Sequence, residues 1–339
     1  MRVSTTQIYR NSTDSLMQSV SSLYKWNEQI ASGKRINKPS DDVTGAARAL
    51  DYRVFIENSN RYLSSINSTM NALSYADSTL TAVDTALIRL KELTVEAANG
   101  ATSDSSRGAI ATETEQLRNH ILSLANTKME GTYLFSGFKT DTQAYDSSYN
   151  YQGDSGLIYI GVGGGMEVPQ NVTGEEVFSY TLIAPKTVAI RDGVYAHYIP
   201  QSGPPPSIAV NVSTNSNPSV APDISSYSYD NAIQLADVLT NAIRNNDMLG
   251  ISALMGSLDD MSEHVNKVHA DLGTRMNGLD SQEVRIRDMR HTTAINLSSI
   301  EDADIIETAS EFAKASTILS AVQLSTSRIL SQSLFDFLR

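Results

Sequence analysis

The chain has 339 residues, of which 40% are hydrophobic, and its 26 basic and 38 acidic side chains give a formal net charge of −12. This acidity disfavours nucleic acid as a partner, because phosphates require a basic surface. The absence of cysteine excludes disulfides and thiolate metal sites, and without a secretory signal or a long apolar run we expect no membrane insertion.

The first predicted helix covers residues 12–32 and ends before Gly33, a residue type that often caps helices. Its apolar positions recur every seven residues, at Leu16, Leu23 and Ile30. Such a short helix has an apolar face but too little sequence of its own to bury that face. We therefore predict that residues 1–45 form an N-terminal assembly segment. The acidic pair Asp41 and Asp42 follows Pro39 and is interpreted as capping the next helix.

The longest predicted helix covers residues 46–99, a stretch without Gly or Pro. One half of a heptad seam consists of Ile66, Leu73, Leu80 and Leu87, and the other half of Tyr62, Ala76, Val83, Leu90 and Ala97. A narrow apolar strip of this kind is typical of a coiled coil and requires a long partner helix. A polar turn is predicted over 100–108 and an antiparallel return helix over 109–130. Residues 46–130 should form the N-terminal half of a rod.

The composition changes to Gly, Pro, Tyr, Val and Ser over residues 131–229. Short alternating runs, which predict β-strands, occur at 157–160 and 187–190. The glycines at 161–165 invite comparison with a nucleotide-binding loop, but Met166 stands where that motif requires its third glycine, so they predict a turn. The Asn, Ser and Pro residues at 211–222 predict a loop or linker. We therefore expect a β-rich outer domain over 131–229.

Helical periodicity returns near residue 230, and a second heptad seam includes Ile251, Leu258, Val265, Leu272 and Leu279. Two matched seams on either side of an inserted domain predict that residues 230–300 form the C-terminal half of the rod. Apolar residues continue at helical spacing to the end of the chain, at Ile305, Phe312, Leu319, Leu330, Leu334 and Phe337. They predict a C-terminal assembly helix over 301–339. The predicted fold is mainly α with an inserted β-rich domain, an elongated antiparallel coiled-coil bundle built from both chain ends.

No pattern of catalytic or metal-binding residues is present. His264 and His269 are five residues apart, whereas two histidines that bind one metal from a helix are four apart. The sequence contains no G-x-S-x-G nucleophile motif. We therefore predict no catalytic residues, no metal site and no cofactor, and an enzyme is disfavoured.

Several stretches resemble the bacterial flagellin family. Residues 35–46 read RINKPSDDVTGA and residues 88–100 read IRLKELTVEAANG, and both are similar to motifs of that family. Residues 133–142, YLFSGFKTDT, and residues 332–338, QSLFDFL, resemble the members that join hook to filament more than the filament subunits. Val43 and Thr44 also depart from the small residues that filament subunits carry. The resemblance covers about 1–145 and 230–339.

This resemblance implies a structural subunit that forms a junction layer between the flagellar hook and the filament. It implies export through the flagellar type III apparatus, with a cytoplasmic chaperone holding the C-terminal region before export, and a final location outside the cell. The implied partners are further copies of the chain, hook-associated protein 1 on the hook side and flagellin on the filament side. The apolar residues of the two terminal helices are the predicted assembly interface.

Two other readings stay open on the sequence. The chain could be flagellin itself, which would polymerise into long filaments without a prepared end. It could also be a binding module, in which the helices are a stalk and exposed tyrosines of the β-rich domain hold a ligand. The tyrosines concerned are Tyr145, Tyr149, Tyr151, Tyr195 and Tyr198.

Overall fold

The computed structural model describes residues 5–202 and 206–337. Its helices are α1 (Thr5–Ser32), α2 (Val43–Ala97), α3 (Asp104–Ala125), α4 (Gly174–Phe178), α5 (Ala232–Arg244), α6 (Met248–Glu301) and α7 (Ile305–Phe337). Its strands are β1 (Lys128–Met129), β2 (Thr132–Tyr133), β3 (Tyr159–Gly161), β4 (Glu167–Pro169), β5 (Lys186–Arg191), β6 (Val194–Gln201), β7 (Ser207–Ser213) and β8 (Ser225–Tyr229). Helices from both ends flank one stretch of antiparallel strands, which confirms the predicted class, a mainly α chain with an inserted β-rich domain.

The chain divides into two compact units, one formed by Met1–Arg61 with Arg285–Arg339 and the other by Tyr62–Val284. We call them the terminal unit and the central unit. Both α2 and α6 contribute residues to each unit. In the part of the chain that is described, no helix combines the length and apolar character needed to cross a membrane.

In the central unit, α2 and α6 run antiparallel. Lys91 pairs with Asp259 at 2.5 Å, and His269 Nε2 lies 2.7 Å from Asp77 Oδ1. Later residues of α6 therefore contact earlier residues of α2, as in an antiparallel pair. Most of the predicted seam residues are buried, and those at most 1% exposed include Ile66, Leu73, Leu80, Leu87, Leu258, Val265 and Leu272. Their burial supplies much of the hydrophobic stabilisation of this unit.

The seam prediction is wrong at Tyr62, whose side chain is 36% exposed. Leu63 is buried in its place, at 7% exposure, and Ser59 is buried at 3%. An α-helix has 3.6 residues per turn, so a strict seven-residue spacing drifts around its surface, and the buried stripe shifts by one position here.

Helix α3 begins and ends earlier than predicted. Ser103 caps it by accepting a hydrogen bond from Ser106 N at 3.2 Å, so the predicted turn over 100–108 is too long. The helix ends at Ala125 and not near residue 130, because the Asn126 side chain exchanges two 2.9 Å hydrogen bonds with the backbone of Tyr145. These bonds turn the chain into β1 and β2.

The strands form two hairpins and one four-stranded antiparallel sheet with the order β5-β6-β7-β8. Gly163, Gly164 and Gly165 have positive φ values of 94°, 63° and 76° and turn β3 into β4, so the predicted turn is confirmed. The predicted loop over 211–222 is wrong at its start, because β7 continues to Ser213, which pairs with Tyr195 of β6.

Tyrosines of the sheet dock on α6 where that helix carries glycine. Tyr198, only 3% exposed, donates a 2.6 Å hydrogen bond to the backbone oxygen of Ala253. A Cβ atom added to Gly256 would lie 2.5 Å from the Tyr198 hydroxyl oxygen, closer than real Cβ contacts. Glycine at 256 therefore makes room for the buried phenol.

Replacing Gly256 with alanine should lower the free energy of unfolding of the central unit by about 1–3 kcal/mol, because the buried Tyr198 hydroxyl must move off its acceptor. The matched control is Gly273→Ala in the same helix, where an added Cβ would meet no atom within 4 Å. There alanine should stabilise by up to about 1 kcal/mol through helix propensity. Urea denaturation of both variants measures the difference, and equal shifts would contradict this packing.

In the terminal unit, α1 and α7 pack against each other. The end of α1 lies beside the start of α7, where Ala303 N donates a 3.0 Å hydrogen bond to Gly33 O, so the two helices run antiparallel. Residues 302–304 are not helical, so the helix predicted over 301–339 begins at Ile305 in the structure. Asp304 begins a new helix by accepting hydrogen bonds from Ile306 N at 2.9 Å and Glu307 N at 3.2 Å. The break separates α7 from α6.

Candidate assembly interface

The linker between α1 and α2 is fastened to the end of α6. Arg35 N and Ile36 N donate to the backbone oxygen of Glu301 at 2.7 and 3.4 Å, and Ala303 N donates to Gly33 O at 3.0 Å. Gly33 ends α1 with a φ of +70°, which a residue with a Cβ adopts only at a cost. We call residues 33–42 together with 300–303 the clasp.

The Glu301 side chain is the buried charge of the clasp, with only 4% of its surface exposed. Its carboxylate forms ion pairs with Lys34 and Arg53, and Arg53 Nε donates to Oε2 at 3.1 Å. Burial raises the pKa of Glu301, but the hydrogen bonds and charges of Lys34 and Arg53 outweigh it, so the pKa lies below its usual value. The carboxylate is therefore ionised at neutral pH.

The acidic pair in the linker has two roles. Asp42 accepts a 2.8 Å hydrogen bond from Gly45 N, which lowers its pKa, so the predicted capping of the following helix is confirmed for Asp42. Asp41 instead accepts from Lys38 N at 2.9 Å and Asn37 N at 3.1 Å, and these bonds lower its pKa. It holds the turn of the linker and does not cap α2.

The predicted interface residues of the terminal helices keep much of their surface exposed. Half-buried positions are Leu16, Leu23, Phe312 and Leu319. Ile30 is 38% exposed and Ile305 is 53% exposed. The side chains of Leu330, Leu334 and Phe337 lie outside the described residues. A groove of about 400 Å³ between α1 and α7 is lined by Trp26 and Ile318, among others.

A second apolar stripe, which the sequence analysis missed, lies on the first turns of α2. Val43 is 72% exposed, Leu50 59% and Val54 52%, and Ala47 is also exposed. Their spacing of four, three and four residues is that of a coiled-coil seam. The sequence does show this spacing, because Val43 and Leu50 are seven residues apart and so are Ala47 and Val54. We call these four residues the α2 stripe.

Further large apolar side chains are exposed on the terminal helices, at Met17, Tyr24, Ile306, Ile318 and Leu324. Single exposed apolar residues are ordinary, but rows of them at helical spacing mark protein interaction surfaces. The terminal unit therefore carries faces suited to packing against further helices.

The tyrosines considered for ligand binding are not exposed. Tyr145 is fully buried and donates from its hydroxyl to Gly174 O at 3.0 Å, and Tyr198 is buried against α6. Tyr149, Tyr151 and Tyr195 are half-buried. The exposed aromatic cluster that a binding module would need is therefore not formed by these five residues.

Two histidines of the central unit, His197 and His264, hold packing contacts. His197 is fully buried between the Thr187 hydroxyl at 2.9 Å and Asn215 O at 2.7 Å. His264 Nε2 lies 2.8 Å from Glu176 O. Among the described residues, no group of three or more His, Asp or Glu side chains is placed to hold a metal ion.

The chain matches two family models at its helical ends. Residues 3–140 match the bacterial flagellin N-terminal helical region, and residues 255–338 match the bacterial flagellin C-terminal helical region, together about two thirds of the chain. The chain belongs to the bacterial flagellin family. In this flagellin-family chain, the four-stranded sheet and α5 lie between the two matched regions.

This flagellin-family chain was also compared with individual members of the family. It is 27% identical over 338 residues to flagellar hook-associated protein 3 of Escherichia coli strain K12, covering 99% of both chains. It is 34% identical to the flagellar filament 41 kDa core protein of Borreliella burgdorferi, but over only 104 residues, 31% of each chain. The flagellar junction protein of Legionella pneumophila shares its fold, with a TM-score of 0.54 and 20% identity over 75% of this chain and 99% of the other.

Proposed function

We propose that this flagellin-family chain is a structural subunit of the bacterial flagellum and forms the junction layer between hook and filament. The observation that carries the proposal is the similarity to a hook-associated protein 3 along 99% of both chains. The similarity to the filament core protein covers only 31% of each chain. The first match extends through the β-rich domain, because it covers 338 residues.

The terminal unit supplies the surface for this assembly. In a layer, neighbouring copies would cover the α2 stripe and the half-buried faces of α1 and α7. Burying apolar surface contributes about 25 cal/mol per Å², which offsets the entropy lost when the helices are ordered. The proposed interface residues are Leu16, Leu23, Ile30, Ile305, Phe312, Leu319, Leu330, Leu334 and Phe337, with the α2 stripe added to them.

The proposed partners follow from this location. Copies of the chain would contact one another, hook-associated protein 1 on the hook side and flagellin on the filament side. Export through the flagellar type III apparatus would bring the chain to the outside of the cell. A cytoplasmic chaperone would cover the apolar C-terminal helix before export, where Ile306 is 84% exposed in the structure. The role is structural and requires no catalysis, cofactor, nucleic acid or membrane insertion.

An order-of-addition experiment tests the proposal. Purified hooks are incubated with this chain before or after hook-associated protein 1, and flagellin is added last. We expect the chain to bind only hooks that carry hook-associated protein 1, and flagellin to add only where the chain is bound. Equal binding to bare hooks, or flagellin growth without the chain, would overturn the junction role.

The second candidate is flagellin, the filament subunit itself. The observation in its favour is the 34% identity to a filament core protein, which is the higher identity although over the shorter stretch. A filament subunit would polymerise without a prepared end, so self-assembly separates the two candidates.

A further inference from the structure

In the terminal unit, the break between α1 and α2 lies beside the break between α6 and α7, and Glu301 contacts both. The chain leaves α1 at Gly33 and enters α2 at Val43, and it leaves α6 at Glu301 and enters α7 at Ile305. The backbone oxygen of Glu301 accepts hydrogen bonds from the first of these linkers, and its carboxylate binds Lys34 of the same linker. Glu301 therefore joins the linker that follows α1 to the end of α6, directly before the linker that leads to α7.

Basic side chains converge on the last turn of α6. Lys34 and Arg53 bind the Glu301 carboxylate, and Arg35 Nη2 donates to Ile300 O at 2.7 Å. Cations are stabilised at a helix C-terminus by its unpaired carbonyls and by the helix dipole. The buried carboxylate adds a full charge to that attraction.

The linker is also held from the side of α1. Gln29, 5% exposed, donates from Nε2 to Arg35 O at 2.8 Å. Arg35 Nη2 lies 3.5 Å from Asp42 Oδ2 at the start of α2. Arg35 thus bridges α1, α2 and α6, and its backbone N–H is fixed by Glu301.

We propose that Glu301 is a lock that fixes the direction in which α1 and α7 leave α2 and α6. Its side chain is nearly inaccessible, and removing the charge of a buried, doubly paired carboxylate leaves two cations without their shared counter-charge. An exposed pair does not act in this way, because solvent screens it. The pair of Lys314 with Glu311 is such a case, with side chains 63% and 34% exposed.

The test measures the direction itself in the unassembled full chain. Because the chain has no cysteine, the double variant Ser21→Cys with Glu57→Cys places spin labels on exposed positions of α1 and α2. Electron spin resonance then gives the distribution of distances between the two labels. We expect one narrow distribution, and we expect Glu301→Gln to broaden it at least twofold.

The matched control is Glu311→Gln, which removes the same charge from the exposed pair and should leave the width unchanged. Arg53→Met should broaden the distribution as Glu301→Gln does, and it provides a second route if Glu301→Gln fails to fold. An unchanged width in both Glu301→Gln and Arg53→Met would overturn the lock, and so would equal broadening in the control. The readout needs no hook or filament, so its outcome is independent of the proposed junction role.

Discussion

Replacing Leu50 with aspartate should reduce the assembly of this chain on hook ends by roughly 100-fold or more, while its fold stays intact. Leu50 is 59% exposed at the centre of the α2 stripe, so a charge there costs little in the free chain. In an assembled layer the same position would be covered by a neighbouring helix. A buried carboxylate without a partner and the lost leucine burial together oppose association by about 3 kcal/mol or more.

Cosedimentation with hooks measures this effect, and circular dichroism checks that the helices are retained. The matched control is Val188→Asp, which introduces the same charge at an exposed apolar residue of β5, 39% exposed, outside the helical ends. The control should bind hooks as the unmodified chain does. If Leu50→Asp binds as well as the control, the α2 stripe is not part of the assembly interface.

Replacing Leu87 with alanine should lower the free energy of unfolding of the central unit by about 2–5 kcal/mol. Leu87 is 1% exposed in the contact between α2 and the rest of that unit. Truncating it removes apolar burial and leaves a cavity that close-packed neighbours fill only in part.

The neighbouring residue supplies the control for this prediction. Ile88 is 50% exposed, and Ile88→Ala should change the unfolding free energy by no more than about 0.5 kcal/mol. Urea denaturation followed by circular dichroism compares the two variants. Similar losses of unfolding free energy in Leu87→Ala and Ile88→Ala would mean that the buried heptad residues stabilise α2 no more than its exposed residues do.

The heptad pattern predicted the long helices well, because burial along an extended helix repeats over many turns. Leu73 and Leu80 of α2 and Leu258 and Leu272 of α6 are all buried, as a partnered seam requires. The inserted strands were also predictable from the change in composition and the alternating runs. The heptad pattern repeats over many turns, so a single exposed position such as Tyr62 does not change the prediction of a helix.

The clasp and the α2 stripe were not predictable in the same way. The burial of Glu301 depends on Lys34 and Arg53, which lie far from it in sequence, so no local pattern shows it. The break at residues 302–304 carries no Gly or Pro, and an Asp cap alone is a weak signal. The α2 stripe has helical spacing like a buried seam, and only the structure shows that it is exposed.

Electron microscopy of the purified protein tests the central claim most directly. One sample is added to isolated hooks that carry hook-associated protein 1, and a parallel sample is incubated alone in a precipitating salt. The junction role predicts a thin terminal layer on the hooks and no polymer in the parallel sample. Long filaments grown by the protein alone would contradict that role and identify the chain as a filament subunit.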